Sequence, residues 1–193
     1  MFSANQITKL GITGANVGTK PAINDSLSFQ TKGLSAFQIL LTNLLEAQGD
    51  MTKMPKKFKG PLRCSVKETQ PYFLVTDGSY YISAYFTNES YKQFRKENSN
   101  LRVTDLPDIM IQINKWSIEL VGNVDCFTSY AGIEMRMIIH QMDIKKDFKV
   151  ELKKFPTNLY RDDKMKTAIA NFLNQQQRQL LSETLSSKKG KSA

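Results

Sequence analysis

One histidine, His140, serves the whole 193-residue chain, whereas proton-transfer catalysis and metal binding need several titratable groups converging on one point. No histidine-dependent triad or metal cluster can be assembled around it. It falls where a strand-like alternation shifts phase, so it reads as a hydrogen-bonded wall residue. Asp162 and Asp163 form the nearest approach to a carboxylate pair, but consecutive helical positions point their side chains apart. They suit a helix start, where the dipole favours negative charge, better than paired acid and base work. Gly14, Gly18 and Lys20 share residues with a phosphate loop but lack its spacing and its preceding strand. Cys64 and Cys126 are too few for a disulfide scaffold and read as reduced, buried thiols. The sequence therefore predicts a binding protein and not an enzyme, with no cofactor and no metal.

Tyr81 and Tyr85 are the residues best suited to bind something. They alternate with Tyr80, Ile82, Ala84 and Phe86, which places them on the outward face of a strand. Aromatic rings in that position can stack unpaired bases, with Lys115 as a nearby cation. The same rings can instead pack under a terminal segment while keeping their hydroxyls wet.

The elements that must hold these residues follow from periodicity. Leu34, Phe37, Leu41, Leu44 and Leu45 recur at helical intervals after Ser35, which can cap them. From Leu62 the period becomes two: Leu62, Cys64 and Val66, then Phe73 and Val75, then a Thr76-Asp77-Gly78-Ser79 hairpin turn into Tyr80 to Phe86. After a polar, helix-compatible stretch at 88–100, Ile109 to Ile113 and Trp116 to Leu120 read as two strands turning at Asn114-Lys115. The longest strand runs from Ile133 to Ile144, its phase shifting between Ile139 and Met142 as a bulge would shift it. Past Pro156, with Thr157 or Asn158 as cap, Met165, Ala168, Ile169, Phe172, Leu173 and Leu180 form one stripe of a closing helix of about five turns.

The expected fold is mainly β with flanking helices: a five-stranded OB barrel, with a short helical connection after its second strand, an N-terminal helix and a C-terminal helix. The expected divisions are residues 1–60 for an arm, helix and basic linker, 61–155 for the barrel, 156–182 for the closing helix and 183–193 for a basic tail.

The charge is unevenly placed. Of 27 basic and 18 acidic residues, seven and three fall in residues 1–59, seventeen and fifteen in 60–187, and three lysines in the last six positions. The surplus is +4, +2 and +3, so a basic groove on the barrel is not established; the lysines at 53, 56, 57 and 59 are expected in a flexible, solvated linker. The chain shows no signal-peptide pattern and no apolar run near eighteen residues, which predicts an intracellular protein without a membrane span.

The segment Val75 to Thr87, VTDGSYYISAYFT, resembles the OB domain of the telomerase-recruiting shelterin subunit, the adrenocortical dysplasia protein homologue. The likeness lies in a valine-rich strand, a Ser/Thr-Asp-Gly turn and a strand ending in threonine. It continues through IMIQINKWSIEL at Ile109 to Leu120, MRMIIHQMDI at Met135 to Ile144, and the helix beginning at Asp162-Asp163. Yeast and ciliate telomerase accessory subunits with this domain are the related proteins. The resemblance implies a protein-binding barrel that docks on the telomerase reverse transcriptase, promotes recruitment and repeat-addition processivity, and sits beside other OB-fold subunits at telomeres in the nucleus. It implies only weak or indirect contact with single-stranded telomeric DNA. The stretch matching the shelterin acidic patch offers Glu89, Lys92, Arg95, Lys96, Glu97 and Asp105 as the protein contact, with basic residues where that patch is acidic. The alternative is a single-stranded-DNA-binding subunit of a replication-protein-A-like or telomere-capping complex, with Tyr81, Tyr85, Lys115 and the basic linker along the strand path.

Overall fold

The computed structural model describes residues 33–149 and 155–189, with side chains at all of these but 146–149 and 184–189. The arm expected at residues 1–32 lies outside the described residues. The chain divides into two units, Met1–Leu34 and Ser35–Ala193, and the second carries every element below.

The Ser35 hydroxyl accepts the Gln38 N–H at 3.3 Å while Gln38 Oε1 accepts the Ser35 N–H at 2.9 Å. This reciprocal cap satisfies donors that a helix start leaves open, and α1 (Ala36–Glu46) follows. Its Phe37, Leu41 and Leu44 are fully buried, as their spacing predicts. The next stretch corrects an expectation. The presumed flexible linker forms two 3-10 turns, Met51–Lys53 and Lys56–Phe58, with Met54 buried and Met51 and Phe58 packed on the core. Three apolar residues among four lysines are too few to show a period, yet each one docks.

The barrel consists of β1 (Leu62–Glu68), β2 (Leu74–Thr76), β3 (Tyr80–Phe86), β4 (Ile109–Val121) and β5 (Glu134–Lys149). Pairing runs β1–β2–β3–β5–β4 and back to β1, every neighbour antiparallel except β3 with β5, which closes the sheet. That is the expected OB barrel, extended by a two-residue β6 (Thr157–Asn158) parallel to β3. The helical connection, α2 (Asn88–Glu97), follows the third strand and not the second. The 69–73 loop between β1 and β2 has no period of its own, so alternation does not separate these two strands.

β4 is one strand, with no turn at Asn114-Lys115. Ile113 pairs with Met142, Lys115 with Gln141 and Trp116 with Ile139, so Asn114 in β4 and His140 in β5 are each one residue surplus. A bulge reverses the inward phase just as a turn does, and alternation alone does not separate the two. The β5 bulge lies where its phase shift predicted. The inward rows, Ile111, Ile113, Met135, Met137 and Ile139 with Val66, Val75 and Ile82, are all 0% exposed.

The ends are closed by helices. Thr87 accepts the Ser90 N–H at 3.1 Å to cap α2, whose Phe94 is buried. At the opposite end Asp162 caps α3 (Asp163–Lys189), its Oδ1 accepting the Met165 N–H at 3.1 Å and its Oδ2 the Tyr80 hydroxyl at 2.7 Å. Asn158, one of the residues expected to cap this helix, caps the 3-10 turn Leu159–Arg161 instead. α3 runs 27 residues, longer than the five turns read from the sequence. Its apolar stripe leaves the core after Leu173: Met165 and Ile169 are buried, while Leu180 is 63% exposed. Among the described residues no helix is long and apolar enough to cross a membrane.

Candidate nucleic-acid interface

Strand alternation sends Tyr81, Ser83 and Tyr85 to the outer face of β3, and register places Ser83 beside Arg136 and Tyr85 beside Ile138 of β5. The Arg136 guanidinium carbon stands 5.3 Å from the Tyr85 ring centroid. Its Nε donates to Glu134 Oε2 at 2.5 Å, and that carboxylate is 1% exposed. A buried charge is tolerated only when it is paired and its lone pairs are filled. Here the filling is thorough: Glu134 Oε1 also accepts from Ser83 Oγ at 2.6 Å and Thr128 Oγ1 at 2.5 Å. Burial, with the Glu134 charge adding to it, raises the Tyr85 phenol above its ordinary value, so the ring stays neutral. Arg136 donates through Nε alone; its two Nη groups have no acceptor among the described residues. A guanidinium locked at one nitrogen, stacked on an aromatic face and offering the rest of its planar fork can take phosphate oxygens or a base edge.

The β4–β5 loop, residues 122–133, folds over this wall. Thr128 is the bonded contact just described. Phe127 meets Tyr72 of the β1–β2 loop edge to face at 5.0 Å, both rings exposed, at 50% and 37%. Asn158 Nδ2 donates to the Phe127 carbonyl at 2.5 Å and ties the loop to β6. Exposed rings thus rim a cationic, hydrogen-bonding centre.

The two tyrosines singled out in the sequence are not one platform. Four strand positions separate them by about 13 Å, and between them Ser83 and its cross-strand partner Leu74 are 1% exposed. Tyr85 belongs with Arg136, whereas Tyr81 lies under Lys67 Nζ at 4.7 Å. Lys115 is exposed in the β4 bulge opposite Gln141, with neither tyrosine. Glu89, Lys92, Arg95, Lys96 and Glu97 are all exposed on α2, and Asp105 is exposed in the 3-10 turn Val103–Asp105. Three of them have local roles: Arg95 Nη1 donates to the Leu101 carbonyl at 2.9 Å, Glu97 accepts from Gln93 at 2.8 Å, and Asp105 accepts the Arg102 N–H at 2.8 Å. Arg136, Glu134, Tyr72 and Phe127 were missed. The outward parity of Arg136 was readable from the long strand, but the two loop rings carry no periodic signal.

His140 is exposed, with Nε2 2.8 Å from Ser117 Oγ and no described carboxylate on its other nitrogen. Asp162 turns to Tyr80 while Asp163 pairs with Lys166 at 2.9 Å, so the two diverge as expected. Cys64 is buried and free; Cys126, also free, is half-buried in the β4–β5 loop and not the buried thiol expected.

A closed barrel of this topology, with a cation-capped tyrosine and aromatic loops on one wall, is an OB-fold binding domain. Residues 46–183 match the family model of the telomere-binding protein beta subunit (TEBP beta). The chain is 42% identical over 140 residues to "Telomere-binding protein subunit beta" of Sterkiella nova, covering 72% of this chain and 36% of that protein. It is 39% identical over 148 residues to the protein of the same name from Stylonychia mytilus, covering 76% and 38%. The chain belongs to the telomere-binding protein beta subunit family, and it spans a little over a third of the length of these relatives. The "Est3 telomerase subunit in the yeast Hansenula polymorpha" is similar at a TM-score of 0.41 and 12% identity, over 48% of this chain and 63% of that one. The resemblance read at Val75 to Thr87 was to the shelterin subunit; the family that the chain matches is the telomere-binding protein beta subunit.

Proposed function

We propose that this chain is a non-enzymatic subunit of a nuclear telomere-end complex, whose barrel contacts single-stranded telomeric DNA at Tyr85 and Arg136 while a partner subunit completes the grip. The single observation that carries this reading is the guanidinium fixed by buried Glu134 over Tyr85 with its outer donors unengaged. Family membership and the relatives' printed name, a telomere-binding subunit, support it. The proposal needs no metal or cofactor.

Removing one stacked ring costs about 1–3 kcal/mol of single-strand affinity, so Tyr85→Ala is expected to weaken binding of a telomeric repeat about five-fold or more. Arg136→Gln should lower both the affinity and its salt dependence. Gel-shift titrations at two salt concentrations measure both. Unchanged affinity in both variants, with native melting curves, refutes the reading.

The second reading is a telomerase accessory subunit that docks on the reverse transcriptase to promote recruitment and repeat-addition processivity. The observation favouring it is α2, which exposes Glu89, Lys92, Lys96 and neighbouring charges on one accessible helix. Charge reversal at Lys92, Arg95 and Glu97 should then reduce capture of the reverse transcriptase, and undiminished capture removes α2 from that role.

A further inference from the structure

β1 covers its edge of β4 only as far as Ile113. Beyond it, the same edge is flanked by the segment holding the two 3-10 turns: Trp116 Nε1 donates to the Gly60 carbonyl at 2.9 Å, and the Ile118 N–H donates to Met51 Sδ at 3.3 Å. With Arg63 opposite Gln112, this chain segment follows β4 from Gln112 to Ile118, about 20 Å at strand rise. Residues 50–63 carry five cations, Lys53, Lys56, Lys57, Lys59 and Arg63, against one acid, Asp50. All five except the half-buried Lys59 are exposed, and Lys115 adds an exposed sixth cation from the β4 bulge.

Folding does not account for this charge. The segment is held by Met51, Met54 and Phe58 and by the two bonds above. Its cations contribute a 3.5 Å pair with Asp50 from Lys53, a bond from Lys59 to the Thr52 carbonyl, and Lys57 over the Phe58 ring. The side chains of Lys56, Arg63 and Lys115 make no hydrogen bond, ion pair or ring contact with a described residue. Like charges crowded on a fixed ridge repel one another unless an anion compensates them. Exposed lysines act as point charges toward phosphate, and a row of them reads no base.

We infer that this ridge is a second anion site, which takes the phosphodiester backbone of a nucleic-acid strand continuing from Arg136 across β5 and β4. The inference rests on the proposed DNA reading and extends it to a longer footprint. Two strand spacings, about 10 Å, separate β5 from the ridge. Glu119, exposed opposite Arg136, is an acid beside this route, so the strand is expected to cross nearer Ser117 and His140.

The test uses the full chain with single-stranded oligonucleotides of about 5 and about 15 nucleotides, lengths within and near the top of the range one OB fold occupies. The triple variant Lys56→Gln, Lys57→Gln, Arg63→Gln should weaken the long oligonucleotide about tenfold and lower its log–log salt slope by about 2, at roughly 0.7 per phosphate. It should leave the short one unchanged, and the Lys→Arg, Lys→Arg counterpart with Arg63 kept should bind like wild type. Matching melting curves exclude misfolding. If the triple variant binds the long strand normally while Arg136→Gln does not, the ridge inference fails and the Tyr85 reading stands. If Tyr85→Ala and Arg136→Gln are both silent while the triple variant weakens the long strand, the Tyr85 reading fails and the ridge stands without it. Equal loss on both lengths, no binding of either by the wild type, or displacement of the strand by polyglutamate at equal charge concentration overturns the ridge as a nucleic-acid site.

Discussion

Replacing Asp77 by alanine tests whether the most recognisable stretch of this sequence is a scaffold device. Asp77 Oδ1 accepts the Ser79 and Tyr80 N–H groups at 3.0 and 2.9 Å, which sets the β2–β3 turn with Gly78 at φ +96°. Its Oδ2 accepts the Phe37 N–H at 2.9 Å, an open donor in the first turn of α1, 40 residues away in sequence. A hydrogen bond to a charged group contributes about 1.5–3 kcal/mol when shielded and less when exposed. Two part-buried bonds and one exposed bond therefore place Asp77→Ala at about 3 kcal/mol. Asp77→Asn keeps an oxygen for the turn but can set an amide donor against Phe37 N–H, for a loss of about 1–1.5 kcal/mol. Urea unfolding is readable through the single tryptophan, Trp116, 8% exposed with its indole bonded to Gly60. At an m-value of about 2 kcal/mol per molar, the alanine midpoint should fall by about 1.5 M. A loss below about 1 kcal/mol for alanine, or equal losses for both variants, refutes the reasoning.

Tyr80→Phe removes the bond to Asp162 and should cost about 1–2 kcal/mol by thermal melting. That bond raises the Tyr80 phenol to about 12, so its contribution is full below pH 10 and fades as pH climbs toward 12; the variant should lose less stability than wild type over that window. Despite a desolvation cost, the same bond and backbone N–H groups hold Asp162 below its ordinary value, so its contribution is present above about pH 4 and is lost as pH falls through the lowered value. Thr87→Ala should cost about 1 kcal/mol by uncapping α2, measured in the same melts. Burial raises the Cys64 thiol strongly, so native-state alkylation should label half-buried Cys126 first, with Cys64 reacting only at the unfolding rate; rapid double labelling by mass spectrometry would contradict this.

The barrel was legible because its inner face is strict. All the barrel strands but the three-residue β2 alternate apolar inward residues, and the two bulged strands keep alternation on both sides of the surplus residue. What alternation lacks is a way to tell a bulge from a turn, and so β4 was divided at Asn114. The cap of α1 was legible because Ser35 precedes an apolar period, whereas Thr87 precedes a polar stretch without one, and its cap was not legible. At α3 the sequence placed Asp162-Asp163 at the helix start but offered Thr157 or Asn158 as the cap; the cap is Asp162, held by a tyrosine hydroxyl 82 residues away. The 3-10 segment was hidden because its fixing contacts, a thioether to a strand N–H and an indole to a carbonyl, are long-range and leave no local period.

The site was half legible for a related reason. Parity exposed Tyr81 and Tyr85 equally, but their neighbours across the sheet decide what each can do: Lys67 of β1 for Tyr81, and Arg136 of β5, far along the sequence, for Tyr85. Ser83 between them is the hinge of the argument. On parity it is one more outward polar residue; in the fold it donates to Glu134, which in turn fixes Arg136 over one ring only. Asp77 and Thr87 build a turn and a cap, so a resemblance carried by such residues finds the fold before it finds the ligand. The residues on which the binding proposals rest, Arg136 and the lysine ridge, do not lie in those turns, and only the closed sheet brings them within about two strand spacings of each other.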